Sequence, residues 1–184
     1  MASSSSSSSA GNGGFLTLEL RAIASEVAGL LRERGETVAV AETVPGGLIS
    51  AALLATHGAS KIYKGGLTLY TLESRIAFAG WTHESTVGYT GPTPAIVAGL
   101  AAHTRATLGA TYAVSESGTA GPTGGETRNR TPGYVALAVG GEAGTATREV
   151  ETGLGGDREG NMVAFAVEGL KLLRDVVRGE AKLG

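Results

Sequence analysis

Residues 37–55, TVAVAETVPGGLISAALLA, decide the fold. Thr37 to Ala41 is a short β-type run, and Gly46 to Ala55 reads as a helix. Between them lies a polar turn, Glu42-Thr43-Val44-Pro45-Gly46-Gly47. A strand that feeds a helix through a glycine-containing turn is the opening unit of an α/β domain.

The segments on either side continue the alternation. Upstream, Leu16, Leu20, Ile23, Val27 and Leu30 recur at helical spacing, and Gly35 is placed to end that helix. Downstream, Gly66 to Thr71 alternates, with Leu67 and Leu69 on one face and Thr68 and Tyr70 on the other. A short helix is expected over Glu73–Ala79, and a longer Ala-rich one over Thr93–Leu108. Thr111–Ser115 and Tyr134–Val139 read as buried strands. Thr145–Glu151 reads as a further strand, paired in a hairpin across Gly140-Gly141. The closing helix, Arg158 to Val177, turns Met162, Phe165, Ala166, Leu170, Leu173 and Val177 inward. The expected architecture is a three-layer α/β/α sandwich with a mixed, mainly parallel sheet.

Composition narrows the function. Fifteen Lys and Arg against 17 Asp and Glu give a net charge of −2. That balance argues against nucleic-acid binding, which needs a basic excess or stripe. No apolar run reaches the length of a membrane span. The absence of cysteine removes disulfides and thiol chemistry. His57, His83 and His103 form no metal-binding spacing, so a zinc enzyme is not expected. Residues 1–14 carry a serine run and glycines, and read as a disordered tail ahead of a single domain over 15–184. That head has neither the arginines of a transit peptide nor the apolar core of a secretion signal, so a cytoplasmic location is expected.

Glycine supplies 30 of the 184 residues, more than twice the usual share of about 7%. Several glycines fall in pairs within polar loops, where they permit close backbone approach. In parallel sheets, ligands bind outside the carboxyl ends of the strands. That rule gathers the Glu42–Gly47 turn, the Tyr70 end of its strand with Arg75 beyond it, and Glu116–Gly125 on one edge.

Each candidate in these loops has two readings. Ser117-Gly118-Thr119-Ala120-Gly121-Pro122-Thr123-Gly124-Gly125 suits an anion or an oxyanion through exposed N–H groups, or is an ordinary surface turn. It fits neither a Walker loop nor a dinucleotide fingerprint. Arg128 and Arg130 are phosphate ligands or solvated charges. Asp157 is explained as a helix cap, with Arg158 beside it left over for a ligand. Ser60, between Gly58 and the lysines Lys61 and Lys64, is a nucleophile or a turn serine.

Taken in order, AET-x-x-GGLISAALL, GAS-x-x-Y-x-GG-x-x-x-Y, SG-x-AGP-x-GG, TPGYV and GDRE resemble the C-terminal domain of competence-damage-inducible (CinA) proteins, the nicotinamide mononucleotide deamidase family. The resemblance runs from Leu16 to Val177. It implies a three-layer α/β/α domain, a homodimer, and hydrolysis of a nucleotide-like carboxamide to the acid and ammonia without cofactor. It also implies roles for single residues. Ser60 matches the nucleophile and Tyr70 the catalytic tyrosine. Glu42 and Thr43 stand where the family has Glu-Ser, ahead of Gly46 and Gly47. The Gly118–Gly125 loop matches the substrate cradle, and Arg158 the arginine of the GDR turn. Arg128, Arg130 or Arg158 would then anchor the phosphate.

Arg75 departs from that pattern, because it stands where the amidases carry a lysine base. A lysine can be tuned to release its proton, whereas the far more basic guanidinium effectively cannot. Three functions follow. The first is an amidohydrolase with Lys61, Lys64 or Tyr70 as replacement base. The second is a nucleotide-binding or regulatory module whose catalysis has lapsed. The third is an enzyme of altered chemistry on another small substrate.

Overall fold

A computed structural model describes residues 14–184 of the chain. The tail expected over residues 1–14 therefore lies, apart from Gly14, outside the described residues.

The first helix, α1, spans Leu18–Arg34. Its N-cap Thr17 accepts the Leu20 N–H, and Gly35 closes it in the left-handed conformation. Leu20, Ile23, Val27 and Leu31 form its buried stripe, so the last contact falls on Leu31, with Leu30 at the margin. Strand β1 (Val38–Glu42) follows, then α2 (Leu48–Leu54) and a 3-10 turn over Ala59–Lys61. Strand β2 is Tyr63–Thr68, ahead of α3 (Leu72–Phe78), the short α4 (His83–Thr86) and α5 (Pro94–Leu108). Strand β3 (Tyr112–Gly118) leads through a long loop to the hairpin of β4 (Tyr134–Gly141) and β5 (Gly144–Glu151). Helix α6 (Arg158–Arg178) completes the domain, with Asp157 as its cap on the Gly160 N–H.

The five strands stand in the order β2-β1-β3-β4-β5. β1 pairs in parallel with β2 and β3, while β4 is antiparallel to both β3 and β5. Four strands thus point the same way and β4 alone runs against them, giving the expected mixed sheet. Helices cover both faces. Val38, Val40 and Val114 face α1, α2 and α6, where Leu31, Ile49, Phe165 and Leu170 form the main core. Ala39 and Ala113 face α5 and meet Val97 and Ala101. The alternation of bulky and small residues along β1 matches these two layers, since successive side chains point to opposite faces.

Two boundaries differ from expectation in ways that matter for the site. β2 starts at Tyr63 and ends at Thr68, because its parallel ladder to β1 begins with Val38 beside Tyr63. Tyr70 consequently lies beyond the strand, in the turn to α3. β3 extends through Gly118, because Glu116, Ser117 and Gly118 pair with Leu137, Ala136 and Val135 of β4. The hairpin tip is likewise displaced from Gly140-Gly141, which belong to β4, to the two residues that follow.

Candidate functional site

A cavity of about 270 Å³ opens at the carboxyl edge of β1, β2 and β3. Its size sits near the lower end of small-molecule pockets, roughly 300–1,000 Å³, which favours a compact ligand. Thr43 and Val44 line it from the β1 loop, Tyr70 and Arg75 from the β2–α3 connection, and Tyr89 from the segment before α5. Ser117 to Gly121 with Thr123 supply the β3 side, and Arg158 closes it from the start of α6.

Residue parity explains which side chains reach this edge. Glu42 and Glu116 continue the Val40 and Val114 face toward α2, whereas Ser115 and Ser117 face α5. Glu42 is fully buried and spent on α2: its carboxylate accepts the N–H groups of Gly47, Ile49 and Ser50 and the Ser50 hydroxyl. Glu42, Gly46 and Gly47 therefore shape the β1–α2 turn and do not line the cavity. Glu116, also 0% exposed, accepts the backbone N–H groups of Thr43 and Val44 on one oxygen. Its other oxygen has no partner among the described residues. Burial pushes the Glu116 carboxyl up to about 8, with the Glu42 charge adding, against the hydrogen bonds that lower it.

Thr43 stands in front of this carboxyl. Its hydroxyl oxygen is buried and makes no hydrogen bond among the described residues. A buried hydroxyl without a partner costs about 1–3 kcal/mol, and this oxygen is closed off from solvent although the residue lines the cavity.

Arg75 forms the floor of the pocket and is 3% exposed. Its Nε donates to the Leu69 carbonyl at 3.4 Å, Nη2 to the Ser117 hydroxyl at 3.4 Å and Nη1 to the Tyr89 hydroxyl at 3.5 Å. The guanidinium carbon lies 5.2 Å from the Trp81 ring centre and 5.5 Å from that of Tyr89. Each such cation–π contact contributes about 0.5–2 kcal/mol, which offsets part of the cost of burying the charge. Arg158 donates to the Gly121 carbonyl at 2.9 Å and to the Tyr70 hydroxyl at 3.1 Å, tying the glycine loop to the β2–α3 turn. Two guanidinium groups and no carboxylate line the cavity, so it favours an anion.

Gly118 holds this arrangement tight. A Cβ there would lie 2.7 Å from both the Phe165 ring and the Tyr134 carbonyl oxygen. Gly124 and Gly125 serve packing of a different kind. A Cβ on Gly124 would meet the Arg130 carbonyl oxygen at 2.5 Å, and the Gly125 N–H donates to that same carbonyl. These two glycines and Arg130 stand outside the cavity lining.

The structure does not bring every expected site residue here. Ser60 and Lys61 are exposed on the 3-10 turn that precedes β2, and Lys64 is exposed near its start. They occupy the amino edge, while the cavity lies at the carboxyl edge, a strand length of ~20 Å away. Arg128 is committed to Glu149 at 3.1 Å and Glu151 at 2.7 Å, and stacks over Tyr134 on the β5 side. Tyr89 and Trp81 lie outside the candidates the sequence offers, and Glu116 enters them only as the first residue of the Glu116–Gly125 segment. The signals were an aromatic pair in a polar segment between helices, and a glutamate ending an apolar strand run level with Glu42. Among the described residues no group of three or more His, Asp and Glu is placed to hold a metal.

Fold and site together define an α/β sandwich with a small cationic pocket at the carboxyl edge of its sheet. The chain belongs to the CinA C-terminal domain family, whose pattern matches residues 20–177. A CinA-like protein of Prochlorococcus marinus is 35% identical over 154 residues, covering 84% of this chain and 34% of that protein. One from Frankia casuarinae is 34% identical over 153 residues, covering 83% and 34%. The chain thus spans about a third of the length of these relatives. Among solved structures, the competence/damage-inducible protein of Agrobacterium tumefaciens superposes with a TM-score of 0.81 at 24% identity, over 90% of this chain and 99% of that one. The competence damage-inducible protein A of Klebsiella pneumoniae gives 0.78 at 27% identity, over 85% and 95%. Among the described residues no helix is long and apolar enough to cross a membrane.

Proposed function

We propose that this domain binds a small anionic, nucleotide-like ligand at the carboxyl edge of the sheet, as a binding module on a hydrolase-related fold. One observation carries the reading: the cavity is lined by Arg75 and Arg158 and by the hydroxyl-bearing residues Thr43, Tyr70, Tyr89, Ser117, Thr119 and Thr123, with no lysine, histidine or carboxylate among the described residues. Such a lining receives negative charge and polar sugar or phosphate oxygens. It offers no amine to take a proton from a nucleophile, and a guanidinium does not serve as a base. Arg158 and the Gly118–Thr123 backbone would hold the phosphate end. The homodimer implied by the family resemblance and the cytoplasmic location expected from the sequence belong to the same proposal, and light scattering on the purified chain tests the dimer.

The unpaired Thr43 hydroxyl favours a second reading, amide hydrolysis. Thr43 Oγ1 is closed off from solvent, so its side chain would first have to turn into the cavity; it would then attack the carboxamide carbon, the C–N bond would break, and ammonia would leave with the transferred proton. Water would then release the acid from the threonine ester. Tyr70 and Tyr89 are the lining residues that carry a phenol hydroxyl to relay the proton, and Tyr70 is the one the family resemblance favours. A third reading, altered chemistry on another substrate, has no separate observation in its favour.

Calorimetric titration with nicotinamide mononucleotide, run beside an ammonia-release assay, tests the proposal. Saturable binding without ammonia is the expected result. Ammonia release that disappears in Thr43→Ala would install the hydrolase reading. Release that disappears in Ser60→Ala would return the nucleophile to the other edge of the sheet.

A further inference from the structure

We infer that the Arg75 end of the pocket recognises a carboxylate, so that the preferred ligand is an anionic acid and not the neutral carboxamide. This rests on the binding reading above and adds the chemical class of the group held at the floor.

The guanidinium of Arg75 has five N–H donors. Three of them reach oxygens at 3.4–3.5 Å, all neutral: the Leu69 carbonyl and the Ser117 and Tyr89 hydroxyls. Those contacts are long for bonds from a cation, which close to about 2.7–2.9 Å on an anionic oxygen. No carboxylate forms an ion pair with Arg75 among the described residues, although the side chain is 3% exposed. Trp81 and Tyr89 lie against the group with their rings, and neither supplies the missing negative charge.

The planar fork matches the two oxygens of a carboxylate. A carboxamide presents one acceptor and one NH2 donor, so half of it would meet further N–H groups. A lysine at the same position would present a single point of charge and would not impose this choice. Arg158, bound to Gly121 and Tyr70 elsewhere in the lining, is left for a second anionic group. The chemistry that fits both cations is a compact ligand with a carboxylate at one end and a phosphate at the other.

The test compares nicotinate mononucleotide with nicotinamide mononucleotide, two probes that differ at the carboxyl group alone, by calorimetric titration of the full chain at low salt. The acid is expected to bind at least about tenfold more tightly. Arg75→Gln, checked for folding by circular dichroism, is expected to abolish that preference, and Arg75→Lys to reduce it to a few-fold. The wild-type comparison needs no variant, so it stands even if Arg75→Gln does not fold. Equal or tighter binding of the amide overturns the inference and leaves the binding reading intact. An acid preference that survives unchanged in folded Arg75→Gln also overturns it, by placing the carboxylate elsewhere. Failure of both probes to bind overturns the binding reading itself, and the inference with it.

Discussion

The Glu116 carboxyl lies directly behind the Thr43 backbone and accepts its N–H, so the loop that fronts the cavity is fastened to a buried acid at the end of the neighbouring strand. The pairing follows from register. Ala41 sits beside Ser115, and the next residue of each strand, Glu42 and Glu116, turns to the same face. Glu42 is fully engaged by the start of α2, and Glu116 keeps one oxygen without a partner.

That arrangement has a pH signature. In the unfolded chain Glu116 titrates near its ordinary 4.5, and in the folded chain near about 8. Its contribution to stability is full below about pH 4.5, where both states are protonated. It is lost as pH rises toward about 8, because the unfolded state releases the proton that the folded state retains. Glu116→Gln keeps the acceptor for Thr43 and Val44 and removes the titration. Thermal melts at about pH 5 and about pH 8 are expected to show a smaller drop for the variant than for the wild type. An identical drop would mean that Glu116 is already ionised in the folded protein.

Thr43 and Ser60 are separated by the length of β2, and substitutions should behave accordingly. Thr43→Ala is expected to change ligand affinity by a few-fold, since it alters the cavity wall. Ser60→Ala is expected to leave affinity and melting temperature unchanged, because the residue is exposed on the opposite edge. Calorimetric titration of the two variants side by side checks both.

Arg158 is exposed and its loss should not unfold the domain. Arg158→Ala removes a charged donor to the ligand together with the bridge between Gly121 and Tyr70. Hydrogen bonds from a charged group contribute about 1.5–3 kcal/mol, so phosphate-bearing probes should bind roughly 10- to 100-fold more weakly. The effect should shrink as salt is raised.

Arg75→Lys restores an amine at the pocket floor. If a missing base is what keeps this domain from hydrolysing amides, the variant should release ammonia from nicotinamide mononucleotide where the wild type does not. Silence from a folded, ligand-binding variant would assign the difference to the Thr43-Val44-Pro45 loop instead.

Gly118→Ala probes packing rather than chemistry. The added methyl group would press on the Phe165 ring and on the Tyr134 carbonyl, a backbone atom that cannot swing aside. Overpacking of this kind costs about 1–3 kcal/mol. For a domain of this size each kcal/mol lowers the melting temperature by about 2–4 °C, which differential scanning fluorimetry resolves.

Periodicity along the chain determined the order and type of the principal elements, because helical and strand spacings are local properties. The Leu20–Ile23–Val27 stripe, the valines of β1 and the apolar face of α6 all declare themselves within a few residues. The glycine loop after β3 and the turn after β1 were also legible as the site edge, since parallel strands carry their loops to one side. The tertiary structure alone decided which residues meet there. Glu116 to Gly118 became strand because β4 lies against them, a pairing that no local period reports. Ser60 and Tyr70, ten residues apart, were sent to opposite edges because β2 runs between them in register with β1. Arg75 became the floor of a cavity because α3 folds back over the end of β3, placing its guanidinium against Ser117, Trp81 and Tyr89. Long-range pairing and burial set these contacts, and they turned a surface-type residue into the charge that defines the pocket.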